Sequence, residues 1–149
     1  MQLFRKPFLL FTTDDGNELV AFTAIATTER YYGKDDIVLF DAAVSNFGGH
    51  YNTVTSTFVC PYSGVYLFSI SVYSIEGVTL YLEFMKNNAV MIDIMSYDET
   101  IGSNSGAVFI LECEVGDIIW VKCDSDNDAM ESDGTRRSHF SGVLLHRNN

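Results

Sequence analysis

From residue 65 to 73 the chain alternates without a break, with Tyr66, Phe68, Ile70 and Val72 on one face and Val65, Leu67, Ser69 and Ser71 on the other. A period of two belongs to a β-strand, because successive Cβ atoms point to opposite sides of the pleat. The turn signal Cys60-Pro61-Tyr62-Ser63-Gly64 introduces this strand directly, so its start is fixed as firmly as its faces.

The same period recurs from end to end, which predicts an all-β chain. Residues 20–24 and 37–40 read as early strands separated by a polar loop over 29–36. Residues 79–85 and 89–94 flank Lys86-Asn87-Asn88, a turn that tolerates positive φ, and read as a hairpin. Residues 108–113 and 118–123 flank Glu114-Val115-Gly116-Asp117 and read as a second hairpin, and residues 140–145 form the last strand. Eight or more short strands fit a jelly-roll sandwich of two antiparallel sheets. The most polar stretch, 124–137, reads as a long exposed loop.

Of 149 residues 47% are hydrophobic, enough for a core held by burial. The net charge of −11 repels phosphate backbones, which excludes nucleic acid as a partner class. No apolar run reaches the roughly 18 residues of a membrane span, so no membrane insertion is expected. The apolar run Pro7 to Phe11 is too short for a secretory core, and residues 1–19 read as an N-terminal leader before a single domain over 20–149. Cys60, Cys113 and Cys123 have neither disulfide-framework nor zinc spacing and read as small core residues, although one pair can still bridge.

Several ordered motifs then carry a resemblance. Ala21-Phe22-Thr23-Ala24, Leu39-Phe40-Asp41 and Asn46-Phe47-Gly48-Gly49-His50-Tyr51 are followed by Phe58-Val59-Cys60-Pro61 with Gly64-Val65-Tyr66-Leu67-Phe68. Gly116-Asp117-Ile118-Ile119-Trp120 and Phe140-Ser141-Gly142-Val143-Leu144-Leu145 complete the series. Together they resemble the globular head domain of complement C1q, a jelly roll related to the tumour necrosis factor fold. Ser56 and Asn88 stand where that family usually has turn glycines, and Cys113 and Cys123 where it has core aliphatics.

The resemblance implies a secreted homotrimer with a recognition or signalling role and no enzymatic activity. Tyr66, Phe68, Phe140, Val143 and Leu145 supply more apolar surface than one sandwich core needs, and a trimer interface is one explanation; burial within the protomer is the alternative for any one of them. Trp120 is expected inside the protomer.

The candidate binding residues lie in loops. Asp124, Asp126 and Asp128 begin like a calcium loop, but Ala129 and Thr135 replace the required glycine and glutamate, so 124–135 is no EF-hand. The resemblance implies that calcium, if held, lies near a trimer axis at Asp98, beside Tyr97, whose ring suits a sugar face. Arg136 and Arg137 suit a carboxylate ligand, with local ion pairs to Glu131 or Asp133 as the alternative. No nucleophile, phosphate-binding or metalloprotease motif is present. Two partner classes follow: a carbohydrate or microbial surface ligand, or a protein receptor.

Overall fold

A computed structural model describes residues 18–97, 99–100, 102–132 and 137–149. Twelve strands run in chain order as β1 (Ala21–Ile25), β2 (Arg30–Tyr32), β3 (Ala42–Phe47), β4 (Tyr51–Asn52), β5 (Thr57–Val59), β6 (Gly64–Tyr73), β7 (Leu80–Lys86), β8 (Ala89–Ser96), β9 (Asn104–Cys113), β10 (Ile118–Cys123), β11 (Asp128–Met130) and β12 (His139–Arg147). One sheet has the order β3-β1-β12-β6-β9, the facing sheet β4-β5-β10-β7-β8, and β11 pairs with β2 at one end. All named pairings are antiparallel, which is the expected jelly roll.

The core between the sheets is aromatic. Phe22 of β1 stacks on Tyr51 and Phe58 at 4.7 and 4.8 Å, and Phe84 of β7 meets Phe109 of β9 edge-on at 4.5 Å. Such offset and edge-to-face pairs are the geometry that ring quadrupoles favour. Gly142 of β12 sits under this layer: a Cβ there would come within 2.7 Å of the Phe22 ring and 2.8 Å of Phe68, so only glycine lets the rings close over the strand.

Strand β6 buries alternate residues over its whole length, as its sequence requires. Five expectations are corrected. Residues 37–40 form no strand; Ile37 makes a single bridge to Lys122, while Val38 and Phe40 still point into the core. Their amides are satisfied one at a time, Val38 N–H by Val121 O at 2.9 Å and Phe40 N–H by Ser56 Oγ at 2.9 Å.

The turn 114–117 does not close a hairpin. β9 pairs with β6 in one sheet and β10 with β5 and β7 in the other, so this turn is an arch between sheets, with Gly116 at φ 89°. The segment 124–137 is not wholly exposed, because β11 lies in its middle with Asp128, Ala129 and Met130 all buried. Trp120 faces outward on β10, half-buried, its indole N–H donating to Asn87 O at 2.9 Å.

The proposed interface residues divide. Tyr66, Phe68 and Phe140 are completely buried within the protomer, because each occupies a core-facing position of β6 or β12. They are therefore not interface residues. Val143 is half-buried on the opposite face and Leu145 is 52% exposed. All three cysteines are buried free thiols. Asp98, Arg136 and most of the 1–19 leader lie outside the described residues.

Candidate recognition surface

The register of β6 and β12 sorts the loops to two ends of the sandwich. At one end Arg147 pairs with Gly64 and Asn148 N–H donates to Ser63 O at 2.9 Å, so both described termini lie there. Glu18 joins them, accepting Tyr62 Oη–H at 3.0 Å and meeting His50 Nε2 at 3.1 Å. The Tyr62 hydrogen bond, then that to His50, holds the Glu18 carboxyl below the usual range.

At the far end, segments from distant parts of the chain meet at Ser74, and the loop after β2 joins them through Asp126. Its N–H donates to Ser103 O at 2.9 Å, its Oγ accepts Ser103 N–H at 3.1 Å, and its backbone bridges to Met130. Ser96 Oγ–H also donates to Ser103 O at 2.8 Å, and Ile75 N–H reaches Ala129 O at 3.4 Å. Lys34 N–H, on the loop after β2, donates to Asp126 Oδ1 at 2.9 Å. The described residues of 26–36, 74–79, 97–103 and 124–138 thus share one surface, remote from the termini.

The described loop residues singled out in the sequence belong to this end, with different roles. Tyr97 is exposed, its hydroxyl 3.3 Å from Glu99 Oε1. Asp124 and Arg137 are exposed as well. Asp126 is exposed but uses one oxygen to hold the Lys34 amide. Asp128 is no ligand residue: it is 2% exposed, accepting Tyr81 N–H at 2.5 Å and Ser125 Oγ–H at 2.5 Å. Cys123 Sγ packs against it at 3.4 Å, and burial first, then this carboxylate, pushes the thiol up to about 12. With both oxygens consumed in this way, Asp128 is not free to ligate a cation. Among the described residues no three acidic, histidine or cysteine side chains come together to hold a metal.

The structure adds a cleft within the segment that reads as polar loop. Arg30, Tyr31, Tyr32, Asp36, Ile37 and Leu39 line a surface hollow of about 360 Å³ beside Asp126. Tyr31 is 67% exposed while Tyr32 is buried, its phenol oxygen accepting Leu39 N–H at 3.1 Å. Asp36 Oδ2 accepts Gly33 N–H at 2.7 Å, which shapes the loop and leaves its second oxygen outward. An exposed ring beside carboxylate and guanidinium groups suits a polyhydroxylated ligand, which offers apolar C–H faces and hydroxyls together. The signal in the sequence is Tyr31 itself, an aromatic next to Arg30 in a segment without apolar alternation.

A second surface lies on the outer face of the β3-β1-β12-β6-β9 sheet. Its register aligns Phe47, Ala21, Val143, Leu67 and Ile110 in one row across all five strands. Phe47 is 52% and Ile110 59% exposed, and the neighbouring Val108 is 69% exposed. The adjacent row is Ser45, Thr23, Ser141 and Ser69, with Thr23 and Ser141 hydroxyls 2.8 Å apart. Between them is a shallow hollow of about 220 Å³ lined by Ala21, Leu67 and Val143. Among the described residues no helix is long and apolar enough to cross a membrane.

This chain is 31% identical over 129 residues to mouse complement C1q tumor necrosis factor-related protein 3, and 29% identical over 128 residues to its human counterpart of the same name. Each alignment takes in 85% of this chain but 51% of the relative, so the chain spans about half the length of these curated proteins. In solved structures, the globular domain of zebrafish complement 1qA protein superposes with a TM-score of 0.70 at 19% identity, covering 87% of this chain and 99% of that one. The Eiger TNF of S. frugiperda superposes at 0.73 and 14% identity, covering 89% and 96%. The fold is thus shared with both groups, and because the C1q domain model matches residues 21–145, the chain belongs to the C1q-domain family.

Proposed function

We propose that this chain is a secreted recognition protein of innate immunity that works as a homotrimer and binds carbohydrate or microbial surface ligands, lectin-like, through the loops remote from its termini. The observation that carries this reading is the cleft around Tyr31, lined by the segment 30–39, whose loop is held to Asp126. A sugar stacks its C–H face on the Tyr31 ring, while Arg30, Asp36 and Asp126 supply hydrogen-bonding groups around it. Three copies on one assembly convert weak single sites into avidity, so each site need bind only weakly. The apolar row through Leu67 and Ile110 supports self-association, because a monomer rarely leaves so continuous a strip in water. No catalytic step forms part of this reading.

The test is a glycan array of neutral, sialylated and bacterial glycans, probed with the full chain with and without calcium. Binding is expected to fall about two- to tenfold in Tyr31→Ala, as one stacked ring is worth about 0.5–1.5 kcal/mol. Loss of binding on chelation assigns calcium to these loops, with Asp98 the residue to replace first. Silence on every glycan, with nanomolar capture of one protein receptor, would assign the chain instead as a trimeric signalling ligand or matrix component.

A further inference from the structure

The three buried thiols divide two and one. Cys123 lies at the loop end, its Sγ 3.1 Å from Ser125 O and 3.4 Å from Asp128 Oδ2. Cys60 and Cys113 lie at the opposite end, beside the termini. Cys60 follows β5 of one sheet, and Cys113 is the last residue of β9 in the other, opposite Gly64. The arch after Cys113 closes on the backbone of Cys60 from both sides: Cys60 N–H donates to Asp117 O at 2.9 Å, and Gly116 N–H donates to Cys60 O at 2.8 Å. The arch itself is held shut by Asp117 N–H to Glu114 O at 3.0 Å and Glu114 N–H to Asp117 Oδ2 at 2.9 Å. The Cys60 and Cys113 thiols are neighbours in the core, at 0% and 1% exposure.

We propose that Cys60 and Cys113 form a disulfide that fastens the two sheets to each other at the end bearing the termini, with Cys123 left as a thiol. Two buried neighbouring thiols, on segments whose backbones are pinned together, need little rearrangement to bond. The oxidant is a low-molecular-weight disulfide. The Cys113 thiolate attacks one of its sulfurs, the oxidant's S–S bond breaks, and one thiolate leaves. The Cys60 thiolate then attacks the Cys113 sulfur of the mixed disulfide and expels the second thiolate. Two electrons pass from the protein to the oxidant, and the two protein thiol protons end on the two released thiolates.

Cys113 is the first nucleophile because the Cys60 hydrogen bond, with help from the Lys86 ammonium, holds its thiol below the ordinary value. The same contact, reinforced by burial, raises Cys60. Burial of both sulfurs confines the reaction to folding or to opening of the 114–117 arch. The bond closes a loop that contains β6 to β9, strands of both sheets, and so restricts the unfolded chain over a long span. Such a bond persists in the oxidising space outside cells.

The purified full chain, equilibrated with mixtures of reduced glutathione and glutathione disulfide, tests this. On the oxidising side, thiols titrated in denaturant fall from three to one, the intact mass falls by about 2 Da, and an unreduced digest contains one peptide joining Cys60 to Cys113. Tm rises by roughly 5–15 °C over the reduced protein. Cys123→Ser keeps that rise, and Cys60→Ser or Cys113→Val abolishes it. If either of the latter fails to fold, the wild-type digest still decides. Three thiols surviving at the most oxidising ratio, a bridge that includes Cys123, or a reaction that stops at a glutathione adduct would each overturn the proposal.

Discussion

Leu67 pairs with Ile110 across the β6–β9 ladder, and both side chains leave the protomer on the face opposite the core that Phe68 enters. Neighbouring residues of one strand therefore carry separate tasks. Phe68→Ala empties a fully buried ring site and should lower the stability of the subunit by about 3–5 kcal/mol in urea unfolding. Leu67→Asp should cost the isolated subunit under about 1 kcal/mol, since its site is only half-buried, yet separate the subunits on a sizing column. Equal effects of the two changes on subunit stability would contradict this division.

Asp128 and Asp126 look alike in the sequence and differ in the structure. Asp128→Ala strips the Tyr81 and Ser125 donors of a buried charged acceptor, a loss of about 2–4 kcal/mol in urea unfolding. Asp126→Ala frees an exposed amide that water can satisfy, a loss below about 1 kcal/mol. Comparable losses in both variants would count against the buried placement of β11.

Ser56 takes a left-handed φ of 54° while its Oγ accepts the Phe40 amide inside the core. Ser56→Ala keeps the unfavourable backbone and orphans the amide, so a destabilisation of about 2 kcal/mol is expected. Ser56→Gly loses the same bond but relaxes the backbone, and should lose about 1 kcal/mol less than the alanine variant. Chemical denaturation of both variants checks the order, and a more stable alanine variant would refute it.

Two aspartates contribute to the acid limb of stability. Burial works against the ionised forms of Asp41 and Asp117, but hydrogen bonds outweigh it, from Thr27 to Asp41 at 2.6 and 2.9 Å and from Asn87 and Glu114 to Asp117 at 2.9 Å each. Both carboxyls sit below the ordinary 3.8. A lowered folded pKa stabilises above the unfolded value and is lost as pH falls through the folded one, so these groups weaken the fold only below about pH 4. Urea midpoints at about pH 5 and pH 3 should differ less in the Asp41→Asn, Asp117→Asn double variant than in the wild type. An unchanged difference would remove these residues from the acid response.

The sequence is most legible where one face of a strand is buried, as in β6, because the alternation of Tyr66, Phe68, Ile70 and Val72 is itself the burial pattern. It is least legible where pairing is decided at long range. Glu114-Val115-Gly116-Asp117 has the chemistry of a tight turn whether its flanking strands pair or part, and only the partners β6 and β7 decide. Asp128 reads as exposed because a lone carboxylate normally is, and its donors, the Tyr81 amide and the Ser125 hydroxyl, are supplied only by the folded chain. Assigning Tyr66, Phe68 and Phe140 together with Val143 to one interface merges two faces that period two keeps apart. Tyr31 is visible as an aromatic beside Arg30 outside any apolar alternation, but nothing local tells whether such a ring packs inward or lines a cleft.

Central to the proposed function is that three sandwiches close their apolar sheet faces against one another and turn their far loops outward together. Sedimentation equilibrium of the full chain at micromolar concentration tests this directly. A particle of about three times the 16.7 kDa chain mass is the predicted result, falling to single chains in Leu67→Asp with the fold retained. A well-folded wild-type species of one chain mass at that concentration would contradict it.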